Sequence, residues 1–244
     1  MDKTLRKQIK QDELVSGIES ARGWIAAHAE EVRATVIGVV LIAVVGGGFI
    51  YYKGFRSGEA QQAFDVAMDI YKAPVGATAD TKGGKAFSSR DEKFQQALAA
   101  FDGLADRFGS LPEGLQARYY AGLCRMELGQ YEEAAKDLGA LAAEADGGKG
   151  PIEASLARMA LAQLDRRQGH LDKAIEVYQK LLDESDSPLP KDAVLSALGQ
   201  TLEEAGRLGQ AAAAFRRLVD EYPSSTYVAQ ARSRAQALRL ASVR

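Results

Sequence analysis

The sequence predicts an all-α chain: a short N-terminal tail, one membrane-length helix, and a solenoid of about four helix pairs closed by a capping helix. Three observations predict it. The composition is rich in Ala (42 of 244 residues) and holds 7% aromatics. That suits closely packed helices better than sheets, where Ala and Gly are depleted. One uncharged run, residues 34–52, has the length of a bilayer core. A spaced set, Gly-apolar-Ala-apolar-Leu, recurs three times. The rest of the composition excludes. With 31 Lys+Arg against 33 Asp+Glu there is no strong basic field to hold nucleic acid. One Cys allows no intramolecular disulfide and no Cys-rich zinc site, and two His leave most His-based metal sites out of reach. No Asn occurs, hence no N-glycosylation acceptor.

Residues 1–33 read as a helical tail. Leu14, Ile18, Ala21, Ile25, Ala29 and Val32 recur at spacings of three and four, with charges on the other face. The tail is neutral, with six basic and six acidic residues. It either lies on a membrane surface with Trp24 as an interfacial anchor or continues as a solvated helix into the next segment.

Residues 34–52 (ATVIGVVLIAVVGGGFIYY) carry no charge over 19 positions. At ~1.5 Å per residue a helix of that length covers roughly 28 Å, one hydrocarbon core. Arg33 and Lys53 bracket the run, and Tyr51 and Tyr52 sit where an aromatic belt would be. A buried core helix would carry polar residues on one face. A cleaved signal peptide would have a shorter apolar region and a small-x-small cleavage site. The expectation is one uncleaved signal anchor, with Ala34/Gly38 and Ala43/Gly47 as small-xxx-small pairs open to a second helix. Two basic residues lie close on the N side (14–33) and three on the C side (53–72), so charge alone does not orient the chain.

Residues 53–244 read as one repeat domain. GQYEEAAKDLGAL (129–141), GHLDKAIEVYQKL (169–181) and GRLGQAAAAFRRL (206–218) start 40 and 37 residues apart. They share Gly129/Tyr131/Ala134/Leu138/Leu141, Gly169/Leu171/Ala174/Tyr178/Leu181 and Gly206/Leu208/Ala211/Phe215/Leu218. Gly ends one helix in a left-handed cap, and the next apolar residue starts the following helix. Ala sits where the two helices cross most closely, and the later apolar positions fill the core. Gly122, Ala162 and Gly199, seven residues before each Gly, mark the matching contact on the partner helix. Phe94, Ala97, Phe101 and Leu104 repeat the second-helix pattern upstream, with 56–72 (Ala60, Ala63, Phe64, Ala67, Ile70, Tyr71) as partner. Between them, 73–91 reads as a polar, Gly-rich insertion loop, either a tolerated insertion or a partner contact; it holds no phosphate-binding motif. After Pro223 a capping helix follows, with Ser224 or Ser225 as N-cap and Arg232, Arg234 and Arg239 toward solvent.

In the last unit Leu198-Gly199, Leu202, Gly206, Leu208, Ala211, Phe215 and Pro223 all fall at the places expected in a tetratricopeptide repeat (TPR) of roughly 34 residues. Here the chain resembles the TPR family. It departs from the pattern where Arg118, Arg158 and Leu195 stand in place of an early Trp, where Leu replaces the usual Ala twelve residues after the Gly, and in longer linkers at 147–151 and 185–190. The whole layout resembles the bacterial single-span TPR proteins of the YfgM-like class, ancillary subunits of the Sec translocon with a periplasmic domain. That resemblance implies a single-pass inner-membrane protein with its tail in the cytoplasm and its repeats in the periplasm. It implies partners among the Sec translocon, periplasmic chaperones and newly exported proteins. A cytosol-facing receptor or scaffold of reversed topology, and an envelope or cell-division assembly coordinator, stay open.

The residues offer no catalytic constellation. His28 and His170 stand without a second His or a Cys nearby in sequence, and Cys124 lies among apolar residues. Glu132-Glu133 and Glu203-Glu204 fall on solvated helix faces. No enzyme activity, cofactor, metal, small-molecule substrate or nucleic acid is expected. Repeat arrays instead offer a concave surface lined by their first helices. By analogy with TPR proteins the candidate partner groove is Tyr119, Leu123 and Met126, then Met159, Gln163 and Arg166, then Ser196, Gln200 and Glu203. This mixed set suits an extended peptide or an amphipathic helix and lacks a basic clamp for a C-terminal carboxylate.

Overall fold

The computed structural model describes residues 24, 27–76, 86–109, 111–144 and 150–241. The tail positions Leu14, Ile18, Ala21 and Ile25, the loop residues 77–85 and most of the linker at 147–151 lie outside them. The described residues form nine α-helices: α1 (Ala29–Lys72), α2 (Arg90–Phe108), α3 (Pro112–Glu127), α4 (Tyr131–Ala142), α5 (Ile152–Arg167), α6 (Leu171–Asp183), α7 (Lys191–Glu204), α8 (Leu208–Glu221) and α9 (Val228–Ala241). Extended pairing among them is limited to an isolated bridge between Val75 and Phe87. The chain divides between Arg56 and Ser57 into two units.

The first unit takes in the uncharged run. The run is helical throughout, inside α1, because the first Pro of the chain is Pro74. The expected segment ends at 33/34 and 52/53 therefore do not break the helix. Ile37, Leu41, Ile42, Val44 and Val45 are each at least 59% exposed. Trp24 stacks on His28 with ring centroids 4.8 Å apart. Among the described residues no helix is long and apolar enough to cross a membrane. At 34–36, 39–40, 43 and 47–52, most of the run, the backbone alone is described.

The second unit is a run of antiparallel helix pairs. Successive helices from α2 to α9 pack on one another, and α3 also touches α5, the first helix of the next pair. Three turns made of the same parts set this repetition. Gly129, Gly169 and Gly206 adopt φ of +73°, +81° and +72°, a region that strains any other residue. At each, the Gly N–H donates three residues back and the next N–H five residues back, for example Gln130 N to Arg125 O at 2.9 Å and Arg207 N to Leu202 O at 2.9 Å. This is a Schellman cap. The next helix begins two residues after each Gly, at Tyr131, Leu171 and Leu208.

The core follows the spaced apolar positions. Ala134, Leu138 and Leu141, then Ala174, Tyr178 and Leu181, then Ala211, Phe215 and Leu218 are all 1% exposed or less. At the close crossing, a Cβ on Gly122 would stand 2.6 Å from Leu138 Cγ, and one on Gly199 2.6 Å from Phe215 Cε1. Upstream, Ala60, Ala67 and Ile70 of α1 pack with Phe94, Ala97, Phe101 and Leu104 of α2, as the periodicity predicts. Phe64 lies against Phe101 and Tyr120 at 5.9 and 5.8 Å between centroids.

Two expectations change at the edges of this domain. The stretch 73–91 is not polar loop throughout. Ala73 and Phe87 are buried, Gly76 N donates to Phe87 O at 3.0 Å, and Phe87 N donates to Pro74 O at 3.2 Å. Ser89 then caps α2, its Oγ accepting from Glu92 N at 3.1 Å, so 90 and 91 are already helical. The capping helix α9 starts at Val228, later than Ser224 or Ser225 would place it, because a turn from Tyr222 to Ser225 comes first. Arg234 does not simply face solvent: it meets Glu203 of α7 at 3.1 Å.

Tyr178 is fully buried and its hydroxyl has no hydrogen-bond partner among the described residues. Burial pushes its phenol up to about 12. An unsatisfied buried hydroxyl costs about 1–3 kcal/mol. Tyr178→Phe is therefore expected to leave the domain as stable or about 1 kcal/mol more stable, as read from thermal melts. A clear loss of stability would mean that the hydroxyl is bonded after all.

Candidate functional site

Repetition at 40 and 37 residues sets Tyr119, Met159 and Ser196 at one level of the first-helix layer, Leu123, Gln163 and Gln200 at the next, and Met126, Arg166 and Glu203 at a third. The structure does not present all nine to solvent. Met126 and Ser196 are buried at 2% and 5% exposure and pack between helices. The other seven are half-buried. Tyr119 and Leu123 lie against the α3–α4–α5 core, and Met159 against the C-terminal core. The N-terminal end of the layer is aromatic: Tyr120 meets Tyr119, Tyr71 and Phe101, each at 5.3 Å. Burial pushes the phenols of Tyr71 and Tyr119 up to about 12, so both remain neutral. Toward α7 the layer turns small and polar, with Gln200 Nε2 donating to Ser196 Oγ at 3.3 Å.

Arginines in this layer are paired within the domain. Arg166 meets Glu204 at 2.8 Å and Arg167 meets Glu127 at 2.6 Å, joining α5 to α7 and to α3. Arg90 also bonds Glu127. Arg125 spans α2 and α4 through Asp102 at 2.9 Å and Asp137 at 3.3 Å. Arg118 and Arg158, which stand in the place of the missing Trp, each grip a Glu 26 residues on: Glu144 at 2.7 Å and Glu184 at 2.5 Å. Sequence reasoning noted these two arginines and missed their partners. The equal spacing was the signal. Every arginine of α3 and α5 is thus held by a carboxylate.

Glu127 is the hub of that network. Burial alone would raise its carboxyl, but the hydrogen bond and charge of Arg167, with those of Arg90, outweigh it and hold the group below the usual carboxylate value. A depressed carboxyl stabilises the fold above its unfolded value, and that contribution is lost as pH falls through the folded value. Glu127→Gln is thus expected to cost about 1 kcal/mol at neutral pH, partly screened by solvent. The gap from wild type should narrow as pH falls below the usual carboxylate value, in melts across a pH series. A gap independent of pH would remove the charge from this account.

Two clefts open on the other layer, between consecutive second helices and over the first helix that lies below them. One, of about 450 Å³, lies between α2 and α4 over α3 and is lined by Asp102, Asp106, Arg118, Arg125 and Asp137. The other, of about 490 Å³, lies between α6 and α8 over α7 and is lined by Leu182, Leu195, Leu198, Leu202 and Ala214. A third, of about 390 Å³, lies between α7 and α9 around Glu203, Glu204 and Arg234.

None of these has catalytic parts. Cys124 is fully buried and burial pushes its thiol up to about 12, too high for a nucleophile. His170 is exposed and lies 3.2 Å from Asp165. Among the described residues no group of His, Cys, Asp and Glu can hold a metal.

Residues 89–149 and 154–226 match the family model described as Tetratricopeptide repeat. Among solved structures, a thermophilic TPR protein of Thermus thermophilus is similar at 17% identity, over 74% of this chain and 99% of that one, with a TM-score of 0.37. No curated protein matches.

Proposed function

We propose, from the premise that the chain belongs to the tetratricopeptide repeat family, that it is a membrane-anchored interaction module of the bacterial cell envelope. Protein interaction is the general work of the repeat fold: stacked helix pairs present a continuous surface to a peptide or helix. The observation that carries the anchor is the run 34–52, without charge over a full bilayer length and bracketed by Arg33 and Lys53. Exposed Ile37, Leu41, Ile42, Val44 and Val45 on that helix support it, because no soluble core covers them. In this reading the tail is cytoplasmic, the repeats are periplasmic, and the partners are the Sec translocon, periplasmic chaperones or newly exported proteins. The aromatic and apolar α3 end of the first-helix layer takes the apolar part of such a segment, and the polar α7 end its hydrogen-bonding part.

Reporter fusions at Arg244 test the topology. A periplasm-active reporter that works and a cytoplasm-active one that does not are the expected result; the reverse pattern gives a cytosol-facing receptor instead. In-membrane crosslinking followed by pull-down tests the partners. Recovery of translocon or exported proteins is expected, and recovery of background alone overturns that assignment.

A further inference from the structure

Positions in α2 and α3 recur 114 residues on in α8 and α9. Buried Phe101, Leu104, Ala117 and Ala121 correspond to buried Phe215, Leu218, Ala231 and Ala235. The turns between the helices correspond as well. Leu111 N donates to Phe108 O at 2.8 Å, and Ser225 N to Tyr222 O at 3.0 Å. Gly114 N then donates to Leu111 O at 3.0 Å, and Val228 N to Ser225 O at 3.2 Å. In this register Arg118 and Arg125 of α3 fall on Arg232 and Arg239 of α9. The arginines of α3 are held by acids from the helix that follows. Arg125 meets Asp137 of α4 at 3.3 Å, and Arg118 meets Glu144, just past the end of α4, at 2.7 Å. Among the described residues no helix follows α9. On the neighbouring helix the sign of the charge changes: Asp102 of α2, which Arg125 also holds at 2.9 Å, has Arg216 of α8 as its counterpart.

We propose that the face of α8 and α9 carrying Arg216 and Arg232 docks an acidic helix of a partner protein, with two carboxylates seven residues apart. Arg216 and Arg232 are exposed, and neither has an ion-pair partner among the described residues. Arg216 Nε donates to Ala212 O of its own helix at 3.2 Å. Helix α9 carries no acid, and Glu221 is already held by Arg217 at 2.8 Å. Asp220 is the counterpart of Asp106, so arginine outnumbers acid on this face even with Arg239 left aside. An acidic partner complements that charge. Its spacing follows from Asp137 and Glu144. Arg125 holds Asp102 and Asp137 together, so a carboxylate in the place of Asp137 reaches a guanidinium in the place of Asp102. One in the place of Glu144 reaches Arg232. Seven residues are two helical turns, which puts both carboxylates on one face of the guest. Close packing does not hold this guest. Gly122, where a Cβ would stand 2.6 Å from Leu138 Cγ, has exposed Gln236 as its counterpart. The partner helix therefore lies farther from α9 than α4 lies from α3, and charge supplies the attraction. This site depends neither on the membrane anchor nor on the peptide surface of α3, α5 and α7.

The probe is a fluorescein-labelled helical peptide with Asp and Glu seven residues apart, titrated into the full-length chain in phosphatidylcholine nanodiscs. Its twins carry Asn and Gln, or two Lys, at those places. The acidic peptide is expected to bind at micromolar concentration in dilute salt, and at least tenfold more weakly when salt rises from about 0.05 M to about 0.5 M. The amide twin should bind at least tenfold more weakly, and the Lys twin not at all. Arg216→Glu and Arg232→Glu change exposed residues, and each is expected to weaken the acidic peptide at least tenfold. The double variant should bind the Lys twin instead. Lys173→Glu, the same change of charge at an exposed place on α6, should leave binding unchanged. Binding that survives both arginine variants, equal binding of the amide twin, or no binding up to about 1 mM overturns the proposal. So does capture of phosphatidylserine vesicles that needs Arg232 while the acidic peptide stays unbound, which would make this a lipid-binding face.

Discussion

Gly199→Val is expected to lower the stability of the repeat domain by about 3 kcal/mol, the upper part of the range for overpacking a core. The Cβ alone would stand 2.6, 2.8 and 2.9 Å from three atoms of the Phe215 ring. That ring cannot give way: Phe215 is 1% exposed and packs in the largest apolar cluster of the domain. The strain falls on the crossing of α7 and α8, which must separate. A Gly-to-Ala exchange inside a helix gains up to about 1 kcal/mol of propensity, and valine recovers less of it, so the clash decides the sign. For a domain of this size the loss corresponds to roughly 6–10 °C in melting temperature. Phe215→Leu tests the cause. Alone it leaves a cavity and destabilises; combined with Gly199→Val it should cost less than the two changes added, because the smaller side chain makes room. Strict additivity, or an unchanged melt for Gly199→Val, would mean that this close approach does not fix the helix crossing.

That glycine was legible in the sequence because the domain is periodic. A small residue (Gly122, Ala162, Gly199) seven residues before a Gly, with apolar residues at fixed steps after it, is a pattern that three copies make hard to mistake, and α4, α6 and α8 start where the pattern puts them. What the pattern could not convey is reach across helices. The equal 26-residue spacing from Arg118 and Arg158 to a Glu points to a pairing, but whether the side chains meet depends on which rotamer spans two antiparallel helices, a matter of angles that spacing alone does not fix. The same limit applies to Met126 and Ser196: a small rotation of a first helix about its axis moves a position from the open face into the contact. Phe87 shows a third kind of limit. One apolar residue among polar ones carries no period, and only the return of the chain from Pro74 to Phe87 brings it onto the core.

If the run 34–52 anchors the chain as proposed, Leu41→Arg combined with Val45→Arg is expected to release it from the membrane fraction. The two residues stand near the middle of the run 34–52, one turn apart on one face of α1, so neither arginine has a short path to either headgroup layer. Each costs about 2.5–3.5 kcal/mol at the centre of a spanning helix on the insertion scale, together about 6 kcal/mol against insertion. That is roughly a factor of ten thousand in partition. In water the same change costs almost nothing, because both side chains are already exposed and arginine is a good helix former. The two environments therefore give opposite answers. A membrane-anchored chain moves from the carbonate-resistant pellet to the supernatant, and a chain that never enters a bilayer fractionates as before. Val66→Arg supplies the control: it changes an exposed residue of the same helix, 58% exposed, within the repeat unit, and should leave fractionation unchanged. The melting of the repeat unit should be the same in all three proteins, since the core that holds it begins at Ala60, beyond the boundary at Arg56. A double variant that stays in the pellet while the repeats melt normally would show that something other than the run 34–52 holds the protein there.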